Sequence, residues 1–258
     1  MTSDLADFSA GVAARLRAID GLAAAGGFDR AIDLMVAGLD AGGVLQAFGT
    51  GHSEGFAMEL AGRAGGLIPS HAIKLGDLVL LGGRPVASLA DPATERDPGV
   101  ADALYGLYDI RPADVFLIAS NSGVNGSVVG IALRAKAEGH PVIAVTSLDH
   151  THKVQPKHPS GQRLCDIADV VFDNLAPYGD TTLPLAEGLA VGAVSSITAA
   201  YIAQLLTIGV ARRFTARGDI PPLYISANTP GGDAHNLALE ALYGSRIKAY
   251  AAAPPTRA

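Results

Sequence analysis

The chain has 258 residues, with 19 Lys+Arg against 25 Asp+Glu and a formal net charge of −6. Charged residues make up only 17%, below the roughly 25% usual for soluble domains, and mean hydropathy is +0.29; this excludes intrinsic disorder and implies a substantial core, with further apolar surface hidden in an oligomer. An isoelectric point near 5.6 without a basic cluster argues against a nucleic-acid partner, and a single cysteine, Cys165, excludes an intramolecular disulfide framework and any multi-cysteine metal site.

The opening residues, Met1-Thr2-Ser3-Asp4, are acidic and lack an apolar core, so no secretory signal is expected and a cytoplasmic location is. Apolar residues at helical spacing (Phe8, Val12, Leu16, Ile19 and Leu22, then Ile32, Met35, Val36 and Leu39) predict a helical pair within about residues 1–40, turned at Gly26-Gly27. A short strand over 44–48 leads into a Gly-rich turn and a helix from Glu54 to about Arg63. Residues 71–75 read as a second strand and 78–98 as a long loop. The unbroken apolar run Val115–Ala119 suits a strand buried on both faces. A helix over 127–138 ends at Gly139, a favoured C-terminal cap. Further strands are expected at 142–145, 170–172 and 223–225.

One segment tests the soluble reading. Residues 188–211 carry no charge and are long enough to cross a bilayer. Ser195, Ser196, Thr198, Gln204 and Thr207 interrupt the run and no second span accompanies it, so a buried helix at a subunit interface is expected and no membrane partner. The tail at 251–258, with Ala251-Ala252-Ala253-Pro254-Pro255, is expected to be disordered. Strand–helix alternation argues for a parallel sheet covered by helices on both faces. Ligands of such sheets bind beyond the carboxyl ends of the strands.

The turns after those strands carry the chemistry. Gly49-Thr50-Gly51-His52-Ser53 opens a helix, and its glycines let backbone N–H groups approach an anion at the positive end of the helix dipole, with Ser53 suited to the N-cap. It is neither a Walker loop nor a complete dinucleotide fingerprint, because Glu54 stands where the third glycine belongs. The third apolar strand runs into Ser120-Asn121-Ser122-Gly123-Val124-Asn125-Gly126-Ser127, a turn of neutral donors able to wrap an oxyanion. The next strand ends in Thr146-Ser147.

These three turns resemble the sugar isomerase (SIS) domain family, over roughly residues 30–228. Within it the chain is similar to a small single-domain bacterial phosphosugar-binding branch, sharing His158-Pro159-Ser160-Gly161, Ala168–Asn174 and Ser226-Ala227-Asn228. The resemblance implies a three-layer αβα sandwich with a five-stranded parallel, flavodoxin-like sheet, the N-terminal helices packed on it, in one domain over about 1–250. It implies that Ser120, Asn121, Ser122, Gly123 and Asn125 hold a sugar phosphate, that Gly51, His52 and Ser53 face the sugar or its phosphate, and that Thr146 and Ser147 close the pocket. Asn125 stands where the family usually has a hydroxyl. The resemblance also implies a homo-oligomer, dimer or tetramer, with its active site at the subunit interface.

Removing a proton beside a carbonyl or imine carbon needs a positioned base. Met58-Glu59-Leu60-Ala61-Gly62-Arg63 resembles the catalytic glutamate stretch of the SIS heptose-phosphate isomerases, which makes Glu59 the expected base; the plain alternative pairs it with Arg63 at i,i+4. The metal-binding histidine of those enzymes is Gly55 here, so neither metal nor cofactor is expected. His52 and His235, the latter in a turn-rich segment before the last helix, are the candidate helpers. His150, His152 and His158 read as a solvated loop with Lys153 and Lys157. The expected activity is C2-proton abstraction from an amino-sugar 6-phosphate, as a lyase or dehydratase on an N-acetylhexosamine 6-phosphate. Aldose–ketose isomerisation and non-catalytic sensing are the alternatives.

Overall fold

A computed structural model describes residues 2–248; the expected disordered tail lies outside the described residues. Two helices, α1 (Thr2–Ala24) and α2 (Asp29–Asp40), precede β1 (Leu45–Gly49). A single 3-10 turn at Gly51–Ser53 then leads into α3 (Glu54–Leu60), and β2 (Ser70–Ile73) follows. After β2 come α4 (Asp77–Leu80), 3-10 turns at Val86–Ala90 and Thr94–Arg96, and α5 (Val100–Tyr105). The next run is β3 (Val115–Ala119), α6 (Gly126–Ala137), β4 (Val142–Thr146), α7 (Leu148–Thr151), α8 (Leu164–Ile167) and β5 (Val170–Asp173). A hairpin of β6 (Thr181–Ala186) and β7 (Leu189–Ala193) leads to the long α9 (Ser195–Ala216), and α10 (Gly232–Glu240) and a 3-10 turn at Gly244–Arg246 close the described chain.

The five parallel strands lie in the order β2-β1-β3-β4-β5, the doubly wound arrangement whose winding reverses between β1 and β3. Register pairs Leu45 with Val115 and Gly49 with Ala119, so the turns after β1 and β3 emerge side by side. β1, β3 and β4 are buried at every position, as parallel strands covered on both faces must be. One core packs α1, α2, α3 and α9 on the sheet through Ile19, Met35, Phe56, Leu206 and Val210. The other packs α5, α6 and α8 through Leu104, Val128, Ile131 and Leu164.

The structure differs from the expected elements in four places. Residues 78–98 are not a featureless loop but a chain of short helical turns. Their two Asp-Pro steps are Asx turns: Asp91 Oδ1 accepts the Ala93 N–H at 2.8 Å and Asp97 Oδ1 the Gly99 N–H at 2.8 Å. The uncharged run 188–211 is not one helix, because Leu189–Ala193 pairs antiparallel with β6 across Glu187-Gly188 and the helix begins at Ser195. Leu223 makes only an isolated antiparallel bridge to Leu67, so 223–225 is not a strand of the sheet. Helix α3 stops at Leu60, where Ala61 is already extended. Among the described residues no helix is long and apolar enough to cross a membrane.

Candidate functional site

A cleft of about 370 Å³ opens over the carboxyl ends of β1 and β3. The two neighbouring turns form its floor, the Thr94–Arg96 turn one lip, and His150, Asp180, Ser195 and Ser196 the opposite wall. A narrower recess continues inward beneath His52 and Ser120 to Asn174. No Lys or Arg side chain lines the cleft among the described residues.

The Ser120–Ser127 turn is held from below. Ser120 Oγ accepts the Gly123 N–H at 3.1 Å, and Gly123 has φ +64, a left-handed conformation that glycine adopts without a Cβ penalty. Asn174 Nδ2 donates to Asn121 Oδ1 at 3.1 Å, and the Asn121 carbonyl accepts from the Ser147 N–H at 3.1 Å and Thr146 Oγ1 at 3.3 Å. The turn ends at the N-terminus of α6, where Asn125 is the extended N-cap residue without a side-chain cap bond. Ser122 is half-buried, lines the cleft and has no side-chain partner among the described residues. The uncommitted Ser122 hydroxyl, just ahead of a 12-residue helix, is the kind of neutral donor that can meet an anion at a helix N-terminus.

Across from it, Gly51, His52 and Ser53 also line the cleft. Ser53 stands before α3 in helical conformation and makes no side-chain cap bond, unlike the expected N-cap; its hydroxyl is left for the cleft. Thr146 and Ser147 are fully buried and are not lining residues. Ser147 Oγ donates to the Ala176 carbonyl at 2.6 Å and accepts the His150 N–H at 3.0 Å, so both residues support the turn from behind.

The cleft also gathers residues that the sequence reading did not single out. Glu95 reaches over the turn, its Oε1 accepting from Asn125 Nδ2 at 3.1 Å. His150, read as part of a solvated loop, lies on the wall: the Gly179 N–H donates to its Nδ1 at 3.2 Å, which places the ring proton on Nε2. Burial lowers the His150 pKa, against the opposing charge of Asp180, so the neutral imidazole is favoured. Asp180 is committed as the cap of α9, accepting the Val194 and Ser195 N–H groups at 3.1 and 2.8 Å and Ser195 Oγ at 2.6 Å. His152 is exposed, and His158 Nδ1 meets Ser160 Oγ at 2.9 Å.

Glu59 and His235 are not brought into this cleft within one chain. Glu59 Oε1 accepts from Gln204 Nε2 of α9 at 2.7 Å and from the Arg63 guanidinium. His235, on α10, has its Nε2 2.9 Å from the Leu223 carbonyl. Among the described residues no group of three or more His, Cys, Asp or Glu is placed to hold a metal ion.

A family model described as SIS domain matches residues 7–147. A UPF0309 protein of Listeria monocytogenes is 37% identical over 210 residues, covering 80% of this chain and 82% of the relative. One of Brucella canis is 37% identical over 219 residues, covering 84% and 87%. Among solved structures, a phosphoheptose isomerase from Francisella tularensis superposes with a TM-score of 0.51 at 20% identity, covering 82% of this chain and all of that one. The phosphoheptose isomerase of Neisseria gonorrhoeae gives 0.51 at 18% identity, over 83% and 98%. With its parallel sheet in the order β2-β1-β3-β4-β5 and the turns after β1 and β3 side by side, the chain belongs to the SIS-domain family.

Proposed function

We propose that this cleft binds a phosphorylated sugar and that the protein removes the C2 proton of an amino-sugar 6-phosphate, acting as a lyase or dehydratase on an N-acetylhexosamine 6-phosphate. The observation that carries the reading is the Ser120–Asn125 turn at the head of α6, with the uncommitted Ser122 hydroxyl facing a cleft that no Lys or Arg lines among the described residues. Phosphate seats on the turn and the α6 N-terminus. The sugar then extends toward Gly51, His52 and Ser53, where His52 on the rim serves as a proton carrier.

An acetamido group at C2 blocks return of the proton to C1, so the C2 carbanion expels the C3 substituent. A free hydroxyl at C2 leads instead to isomerisation. In this reading the working form is a cytoplasmic homo-oligomer. Glu59 and His235 serve a cleft only where two chains meet, since within one chain both are turned to other partners. Proton NMR in deuterium oxide, with a panel of hexose, hexosamine and N-acetylhexosamine 6-phosphates, tests the proposal. Loss of the C2 proton signal with a new alkene resonance is the expected result. Line broadening that shows binding without C2 exchange on any member would overturn the enzyme reading.

A further inference from the structure

The cleft is lined by two carboxylates, and their bonding separates their roles. Asp180 spends both oxygens on the start of α9. Glu95 spends one: Oε1 accepts from Asn125 Nδ2 at 3.1 Å, whereas Oε2 has no partner among the described residues. Oε2 lies 3.8 Å from the position a Cβ on Gly51 would take, so the free oxygen faces the turn opposite the phosphate cradle.

Its placement is rigid on three counts. Ser127 Oγ donates to the Glu95 carbonyl at 2.6 Å. A Cβ on Gly126 would stand 2.1 Å from the Arg96 carbonyl oxygen, so only glycine lets the Thr94–Arg96 turn seat this closely on α6. Lys157 Nζ donates to Asn125 Oδ1 at 3.3 Å; an ammonium can only donate, which fixes the Asn125 amide with its NH₂ toward Glu95.

We propose that Glu95 is the base of this site, a role that rests on the phosphosugar reading above. Glu95 Oε2 takes the C2 proton of the open-chain sugar phosphate. The C2–H bond breaks and an O–H bond forms on Glu95. The freed electron pair becomes the C1=C2 bond, and the carbonyl π pair moves onto O1 to give the enolate. Asn125 has two duties: its N-cap position shapes the turn, and its amide holds Glu95 over it.

The test measures C2–H/D exchange and sugar-phosphate affinity together, in wild type, Glu95→Gln, Glu95→Asp and Glu95→Ala, on the N-acetylhexosamine and hexosamine 6-phosphates. Glu95→Gln is expected to bind within about threefold of wild type and to lose exchange by about 10²–10⁴-fold, the range of general-base catalysis. Glu95→Asp is expected to keep part of the rate, and added formate to restore exchange to Glu95→Ala, which a merely structural role would not allow. Wild-type exchange rates in Glu95→Gln overturn the assignment of Glu95 and leave the reaction standing. Binding without exchange in the wild type overturns the reaction and the base with it.

Discussion

The two ends of the central sheet are built on opposite principles. At the amino end, Asp114, directly before β3, is fully buried and has both oxygens committed. Oδ1 accepts the Val44 N–H at 2.9 Å and the Arg246 guanidinium, and Oδ2 accepts Gln46 Nε2 at 2.9 Å and the Arg111 N–H at 3.2 Å. Gln46 Oε1 then meets His71 Nδ1 at 3.0 Å, linking β1 to the edge strand β2. At the carboxyl end the same two inner strands run into Ser53 and Ser122, and Glu95 docks beside them from the Thr94–Arg96 turn; their polar atoms are left in part unspent. A buried polar group without a partner costs about 1–3 kcal/mol; polar atoms left open at a cleft are available to a ligand. One end of the sheet is closed by internal bonds and the other is kept open.

Removing the closed end's central carboxylate has the largest expected effect. Asp114→Ala leaves the buried Arg246 guanidinium without its counter-charge, a loss of about 3–5 kcal/mol, and thermal unfolding should show Tm lower by about 10 °C. A variant that unfolds at the wild-type temperature would refute the account of that end.

Next comes acid. Burial lowers the His71 pKa from 6.5 to about 4, so between those values the unfolded chain binds the extra proton and the folded one does not. Stability from this group is therefore complete above pH 6.5 and falls as pH drops toward 4, by about 3 kcal/mol at most. Urea midpoints of wild type and His71→Gln across pH 4–7 check this: the variant should lose most of the slope. An unchanged slope would remove His71 as its source.

At the open end the effects move from stability to affinity. Ser122→Ala should weaken glucosamine 6-phosphate binding by about tenfold, the value of one hydrogen bond to a charged group, with Tm unchanged within about 2 °C. Calorimetric titration and thermal unfolding together decide it; a large fall in Tm would move Ser122 to the structural class. The smallest effect belongs to Arg63→Ala, which breaks the partly exposed pair with Glu59 and should change stability by less than about 1 kcal/mol.

The closed elements were the more legible in sequence. Val115–Ala119 and Val142–Val145 are unbroken apolar runs with one reading, and both lie in strands buried at every position. The turn proposed to hold phosphate is marked in the sequence by Ser120, Ser122 and Gly123 at the end of such a run. Less legible was whatever depends on contacts distant in sequence. Glu95 reaches the cleft because the Thr94–Arg96 turn docks on α6, some 30 residues away. The paired Asp91-Pro92 and Asp97-Pro98 steps were the available sign that this segment is ordered. The β6–β7 hairpin was hidden because Gly188-Leu189-Ala190-Val191 continues the apolar composition of the following helix, and composition alone does not separate strand from helix. His150 looked solvated from its charged neighbours, yet Gly179, 29 residues on, turns its ring into the wall.

Amide chemical-shift mapping during titration with N-acetylglucosamine 6-phosphate tests most directly the claim that the open end is the ligand end. The account predicts shifts concentrated in Gly51–Ser53 and Ser120–Ser127, with Val44, Gln46 and His71 unmoved. Shifts centred instead on the separate cavity beside His71, Lys74 and Lys248, with Ser120–Ser127 silent, would contradict it.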